Sequence, residues 1–191
     1  MGADTAPRLR YIALLRGVNV GRAKRIAMAD LRKLVEDLGY TDVRSLLNSG
    51  NVVFDAAVSP IDAAQAIEQA MVRHLGISAR VFVFACHVVD QIIDDNPLLH
   101  LATDHARLFA FLLPGAPQRA LAAELCRQDW APETVALGRH AVYVWCPQGL
   151  LDSAVAAALG KRLGDGVTSR NWNTIIKLHG LCHDGSRRAP R

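Results

Sequence analysis

The chain is 191 residues long, 51% hydrophobic and 21% charged, with a formal net charge of +4. Such a composition calls for a folded globule, one large domain or two small ones, and excludes a disordered chain. No uncharged run approaches the roughly 20 apolar residues of a bilayer helix, and the positive charge is too unevenly placed for a globally basic nucleic-acid binder.

Leu9 to Leu15 is a largely apolar run closed by Arg16-Gly17 and reads as a buried strand. Met28, Leu31, Leu34, Val35 and Leu38 form a helical stripe that Gly39 ends. Val43 to Leu47 and Val52 to Phe54 are short strands about Asn48-Ser49-Gly50-Asn51, a hairpin turn signal. Pro60 opens a second helix reaching Leu75-Gly76, and Ala79 to Ala85 is a strand in which Val81 and Val83 alternate with Phe82 and Phe84.

After a short helix, Val88 to Asp94, and a break at Asn96-Pro97, the pattern starts again. Arg107 to Leu113 reads as a strand, Gln118 to Arg127 as a helix, and Thr134 to Leu137 and Val142 to Trp145 as strands about the turn Gly138-Arg139. Leu151 to Leu163 is a helix ended by Gly164, and Val167-Thr168 is the candidate for a last strand. A final helix runs from Trp172 to Leu178. The order β-α-β-β-α-β, met twice, predicts an α+β chain of two tandem ferredoxin-like halves, each an antiparallel sheet with helices on one face. The halves span 8–96 and 97–183, and 184–191 is expected to be a disordered basic tail.

In this fold the first and second strands run parallel. The carboxyl end of the first strand therefore shares one sheet end with the turn after the second. Arg16, Asn19 and Arg22 on one loop and Asn48, Ser49 and Asn51 on the other are expected to meet there, with Lys24 and Arg25 close behind. The amino end of the first helix, with its unpaired amides, faces the same rim. Backbone amides, guanidinium and carboxamide groups suit an anionic partner such as phosphate, carboxylate or a nucleotide. A purely structural account stands beside this one. Asn and Gly tolerate positive φ and fit a tight turn without any ligand, and Arg16 and Asn19 can satisfy local carbonyls.

Thr168 to Thr174 is a second polar segment. Thr168 or Ser169 can cap the last helix, and Trp172 with Ile175, Ile176 and Leu178 makes an anchoring face. In a binding role, Arg170, Asn171, Asn173 and Lys177 would join the first rim.

The charge is local. From Arg16 to Arg44 there are seven basic and four acidic residues, whereas from Asp55 to Glu133 there are ten acidic and five basic ones. Proton-transfer chemistry has little to stand on. Asp42 and Asp55 are expected at the opposite sheet end, and Asp30, in the first helical turn, is explained by the helix dipole. Catalysis is thus left open with binding preferred, and no cofactor fingerprint is present. His179, Cys182 and His183 fall within five residues, but zinc needs a further ligand, so no metal is expected.

The four cysteines, Cys86, Cys126, Cys146 and Cys182, show no paired spacing and are read as reduced thiols. With no secretory pattern before Arg16, and Ala6 where a myristoylation motif needs Ser or Thr, a cytoplasmic location is expected and no membrane partner.

Three strings stand out together: YIALLRGVNVG over Tyr11–Gly21, NSGNVVF over Asn48–Phe54 and SRNWNT over Ser169–Thr174. In this order and spacing the chain resembles the bacterial domain-of-unknown-function family 1697, over roughly residues 9–180. The resemblance implies an α+β fold with two ferredoxin-like repeats and carries no activity with it. The functional expectation is a binding module for an anionic small molecule or nucleotide at the rim of the first half. Two alternatives remain. One is RNA or single-stranded DNA binding on an open sheet face, which requires exposed aromatics such as Tyr11 and Phe54. The other is an interaction or oligomerisation protein without a small ligand.

Overall fold

The computed structural model describes residues 7–19 and 25–184. Its elements are β1 (Leu9–Leu15), α1 (Met28–Asp37), β2 (Thr41–Leu46), β3 (Asn51–Ala56), α2 (Pro60–Leu75), β4 (Val81–Ala85), α3 (Cys86–Asp94), β5 (Leu108–Leu112), α4 (Ala116–Leu125), β6 (Thr134–Leu137), β7 (Ala141–Trp145), α5 (Ala154–Leu163), β8 (Thr168–Asn171) and α6 (Trp172–His183). The chain divides into two compact units. One runs to Cys86 and takes up again at Gly180; the other is His87–His179. The boundary read from the sequence, at Asn96-Pro97, lies ten residues further on, beyond α3. The proposed tail falls, apart from Asp184, outside the described residues.

The first unit is a four-stranded sheet in the order β2-β3-β1-β4. β1 pairs antiparallel with both β3 and β4, and β2 pairs antiparallel with β3, so β1 and β2 run the same way. α1 forms because Leu31, Leu34 and Val35 fall on one buried stripe, and it ends where Gly39 takes a φ of +82°. α2 has a fuller set of end signals. Ser59 Oγ accepts the Asp62 amide, Pro60 occupies the first turn and Gly76 closes the helix in the left-handed region. Tyr11 to Leu15 and Val52 to Phe54 are buried at consecutive positions. Successive strand residues point to opposite faces, so neither face of these central strands is open to solvent. Tyr11 and Phe54, the aromatics required by nucleic-acid binding on the sheet, lie inside the protein, and Tyr40 stacks on Phe54 at 4.9 Å.

The second unit repeats the plan with the order β6-β7-β5-β8. The repetition extends to single hydrogen bonds: Leu15 N–H donates to Gly50 C=O in the first unit, and Leu113 N–H to His140 C=O in the second, both at 2.8 Å. In each case the end of the unit's first strand is tied to the turn that follows its second. Val142 and Val144 pack with Val155, Leu159 and Leu163 of α5. Between them Tyr143 points to the other face, where its ring meets Trp172 edge-on at 6.2 Å and its hydroxyl donates to the Ile92 carbonyl.

The sequence reading is corrected at two places here. The last strand is Thr168–Asn171, paired antiparallel with β5, so Thr168 and Ser169 belong to a sheet and do not cap a helix. The α6 cap is Asn171, whose Oδ1 accepts the Thr174 amide at 3.0 Å and its hydroxyl at 2.7 Å. Among the described residues no helix is long and apolar enough to cross a membrane.

Candidate functional site

The loop leaving β1 and the turn after β2 are neighbours. Leu15 N–H bonds to Gly50 C=O, and the Arg16 amide bonds to the Arg80 carbonyl on the other side. Gly17 and Asn19 adopt positive φ, +69° and +56°, and bend the chain back across the sheet end. Asn19 then acts as a clasp. Its Oδ1 accepts the Ile26 amide at 2.8 Å, while its Nδ2 donates to the Ile26 carbonyl at 3.0 Å and the Asn48 carbonyl at 2.6 Å. One carboxamide thus closes the loop on itself and ties it to the neighbouring turn.

The turn has its own internal support. Asn51 is fully buried, and its Nδ2 donates to the Leu46 carbonyl at 3.0 Å and to Ser49 Oγ at 2.8 Å. The positive φ angles fall at Leu47 (+57°) and Gly50 (+71°). Asn48 and Ser49 are exposed, and Arg16 is half-buried. Arg22 and Lys24 lie outside the described residues.

Between loop, turn and helix lies a cleft of about 460 Å³ lined by Asn19, Arg25, Ile26, Ala27, Met28 and Asn48. Its floor is the start of α1. The helix opens behind Ala27, which has no side-chain oxygen, so among the described residues no side chain caps the first-turn amides. Ser59, Ser153 and Asn171 supply that oxygen for α2, α5 and α6, whereas α4, behind Gly115, is like α1 in lacking one. Arg25 stands exposed at the mouth. A helix amino end carries partial positive charge, so the lining combines that dipole, a guanidinium and the Asn48 side of the turn.

The residues of the second polar segment all belong to the second unit. Arg170, in β8 opposite Ala110, donates through Nη1 to Thr168 Oγ1 at 3.0 Å and to the Ser169 carbonyl at 2.7 Å. Burial holds its guanidinium down to about 10. Asn171 is engaged as the α6 cap. Asn173 and Lys177 are exposed one turn apart on α6.

Asp42 and Asp55 lie at the sheet end away from the cleft, where Arg10 binds both. Arg10 Nε meets Asp55 Oδ1 at 2.8 Å, and Arg44 also holds Asp42, at 2.9 Å. Burial raises the Asp42 carboxyl, but Arg44 and Arg10 outweigh it and the net effect is a lowered pKa. The folded state therefore binds fewer protons than the unfolded one. The resulting stability is complete above the ordinary carboxylate range and is lost as pH falls through the lowered value. With a third of the Asp42 side chain exposed, solvent screening limits the effect to about 0.5 kcal/mol. Urea midpoints taken from about pH 5 to about pH 3 are expected to fall less steeply for Asp42→Asn than for the wild type. Acid limbs of equal slope would remove Asp42 as a contributor.

The cysteine reading is also corrected. Cys86, at the start of α3, and Cys182, in the part of α6 that belongs to the first unit, form a disulfide across 96 residues of sequence. Cys182 is therefore no thiolate ligand for zinc. Cys126 and Cys146 are free, and burial pushes both thiols up, which leaves them poor nucleophiles.

Each unit, with its βαββαβ order and 2-3-1-4 strand sequence, is ferredoxin-like, and the chain is a tandem α+β protein of that class. Over residues 9–143 it matches the family described as "Protein of unknown function (DUF1697)", and it belongs to that family. The strings at Tyr11–Gly21 and Asn48–Phe54 lie within the matched span; Ser169–Thr174 lies beyond it. The conserved bacterial protein SP0830 from Streptococcus pneumoniae has a similar structure, with a TM-score of 0.72 and 21% identity over 92% of this chain and 99% of that one. At that identity the likeness shows the fold alone. No curated protein matches.

Proposed function

We propose that the first unit binds an anionic small molecule, a phosphate- or carboxylate-bearing metabolite or a nucleotide, at the rim cleft. The observation that carries this is the start of α1: uncapped amides opening on a cleft beside Arg25. Water can satisfy such amides, but an anion satisfies them and meets the dipole and the guanidinium together. Asn19, Asn51 and Ser49 support the binding by shaping the walls, because their polar atoms are engaged within the loop and turn. Binding is preferred to catalysis because Asp42 and Asp55 are engaged with Arg10 at the far sheet end. A small anion is preferred to nucleic acid on the sheet because Tyr11 and Phe54 are buried. The same proposal keeps the protein in the cytoplasm: Cys126 and Cys146 are unpaired in line with it, while the Cys86–Cys182 disulfide, a rare bond in that compartment, weighs against it.

The test is thermal unfolding at constant ionic strength with inorganic phosphate, ATP and citrate as probes. At least one is expected to raise the wild-type Tm by roughly 5 °C at saturating concentration. Arg25→Ala is expected to lose most of that shift while keeping its own Tm, since Arg25 is exposed. No shift with any probe, or the same shift in both proteins, would count against the cleft.

A further inference from the structure

The disulfide belongs to a cluster that fastens the chain's return to the first unit. Cys182 Sγ is bonded to Cys86. The Cys182 carbonyl accepts from Arg10 Nη1 at 3.4 Å, and Asp184 meets Arg44 at 3.7 Å. These attachments are unequal. The first is covalent; the second is long for a hydrogen bond, and the third joins an Asp184 side chain that is 66% exposed, where solvent screens the pair to almost nothing. The guanidiniums on the receiving side depend little on the segment. Arg10 is also paired with Asp55 and Asp42, and Arg44 with Asp42, carboxylates that lie outside residues 180–184. Among the described residues, Arg10 and Arg44 thus have carboxylate partners outside the segment, and of these attachments of the segment the covalent one is the strongest.

We propose that Cys86–Cys182 is a thiol-responsive latch: the disulfide seats residues 180–184 on the first unit, and reduction releases them without unfolding it. This goes beyond ligand binding at the cleft and does not rest on it. The reductant is a low-molecular-weight dithiol. Its thiolate attacks one sulfur of the pair, the Cys86–Cys182 bond breaks, and the other cysteine leaves as a thiolate that takes up a proton. The second thiol of the reductant then closes on the mixed disulfide, frees the remaining cysteine and leaves the reductant as a cyclic disulfide. Two electrons have passed to the pair. The reverse step is driven by a low-molecular-weight disulfide, which becomes two thiols. Cys86 and Cys182 are buried, at 8% and 7% exposure, so exchange proceeds through local opening of the helix end and favours a small reagent over a folded protein thiol. Cys126 and Cys146 stay outside the exchange because their thiols are free and pushed toward the protonated form.

Thiol counting and hydrogen exchange on the full chain test the latch. Protein treated with oxidised glutathione, desalted, unfolded in guanidinium chloride and alkylated with iodoacetamide should carry two adducts, on Cys126 and Cys146. After dithiothreitol it should carry four. Reduction should speed amide exchange over residues 180–184 by roughly tenfold or more while β3 exchanges as before, and should lower Tm by on the order of 10 °C. Cys182→Ser should show the fast pattern without reductant. If that variant does not fold, the reduced wild type gives the same reading. Four adducts on the oxidised sample, or unchanged exchange over 180–184 after reduction, overturns the latch.

Discussion

Gly50→Ala is expected to destabilise the first unit by about 3 kcal/mol or more, from two costs acting at one carbon. The residue sits at a φ of +71°, where an L side chain crowds its own backbone. The added Cβ would also stand 2.7 Å from Leu15 Cβ and 2.6 Å from Val18 Cγ2. Side-chain rotation cannot relieve the first contact, because a Cβ is fixed by its backbone. Either the turn or the end of β1 must move, and the two are joined by the Leu15–Gly50 hydrogen bond. Gly39→Ala separates the two costs. Its φ is +82°, but beyond its own chain neighbours nothing lies within 4 Å of where a methyl group would stand. Only the conformational cost of about 1 kcal/mol then applies. Urea denaturation of both variants measures the difference. Equal losses would mean that the close approach of turn and loop relaxes freely, and the cleft walls would then be much softer than their hydrogen bonds suggest.

That close approach is the part of the site most legible in the sequence. An apolar strand ending at Arg16-Gly17, a helix and a hairpin with Asn-Ser-Gly-Asn suffice to bring the two loops to one end, because the crossover forces β1 and β2 parallel. That Asn19 can satisfy backbone carbonyls was legible too, and it does so at Ile26 and Asn48; which carbonyls was not. Asn19 spans seven residues to Ile26 and twenty-nine to Asn48, and no local pattern announces a bond of that kind. The turn places a positive φ on Leu47 in place of Asn48, a choice made by the register of β2 against β3 and not by local preference.

β8 was hidden for a different reason. Thr168-Ser169-Arg170-Asn171 has no apolar alternation, and it is a strand because β5 offers Phe109 to Leu112 an edge to complete. Tertiary pairing here overrides composition. The same holds for α6, which continues through Gly180 to His183 although glycine usually weakens a helix by about 1 kcal/mol. The disulfide follows from that continuation. Two cysteines 96 residues apart carry no spacing signal, and they meet only because the helix carries Cys182 back to the end of β4.

Trp172→Ala is expected to cost the second unit about 4 kcal/mol, and the size of that loss decides how the last polar string is to be understood. The indole is 2% exposed and lies edge-on to Tyr143, itself fully buried and bonded through its hydroxyl to Ile92. Pleating makes the contact. With Val142 and Val144 turned toward α5, Tyr143 occupies the opposite sheet face, and the first residue of α6 fills the space against it. Asn171 immediately before it fixes the helix start by accepting the Thr174 amide, so the string joins a cap to an anchor. Trp172→Phe retains a ring against Tyr143 and is expected to cost about 1–2 kcal/mol. Far-ultraviolet circular dichroism in urea reads both variants without relying on the lost fluorophore. An aromatic held for a ligand would be cheap to remove in the absence of that ligand. A loss below about 1 kcal/mol for Trp172→Ala would therefore take the indole out of the core and make the string a binding surface again; a loss near the expected value makes it the point at which α6 is fastened to the second sheet.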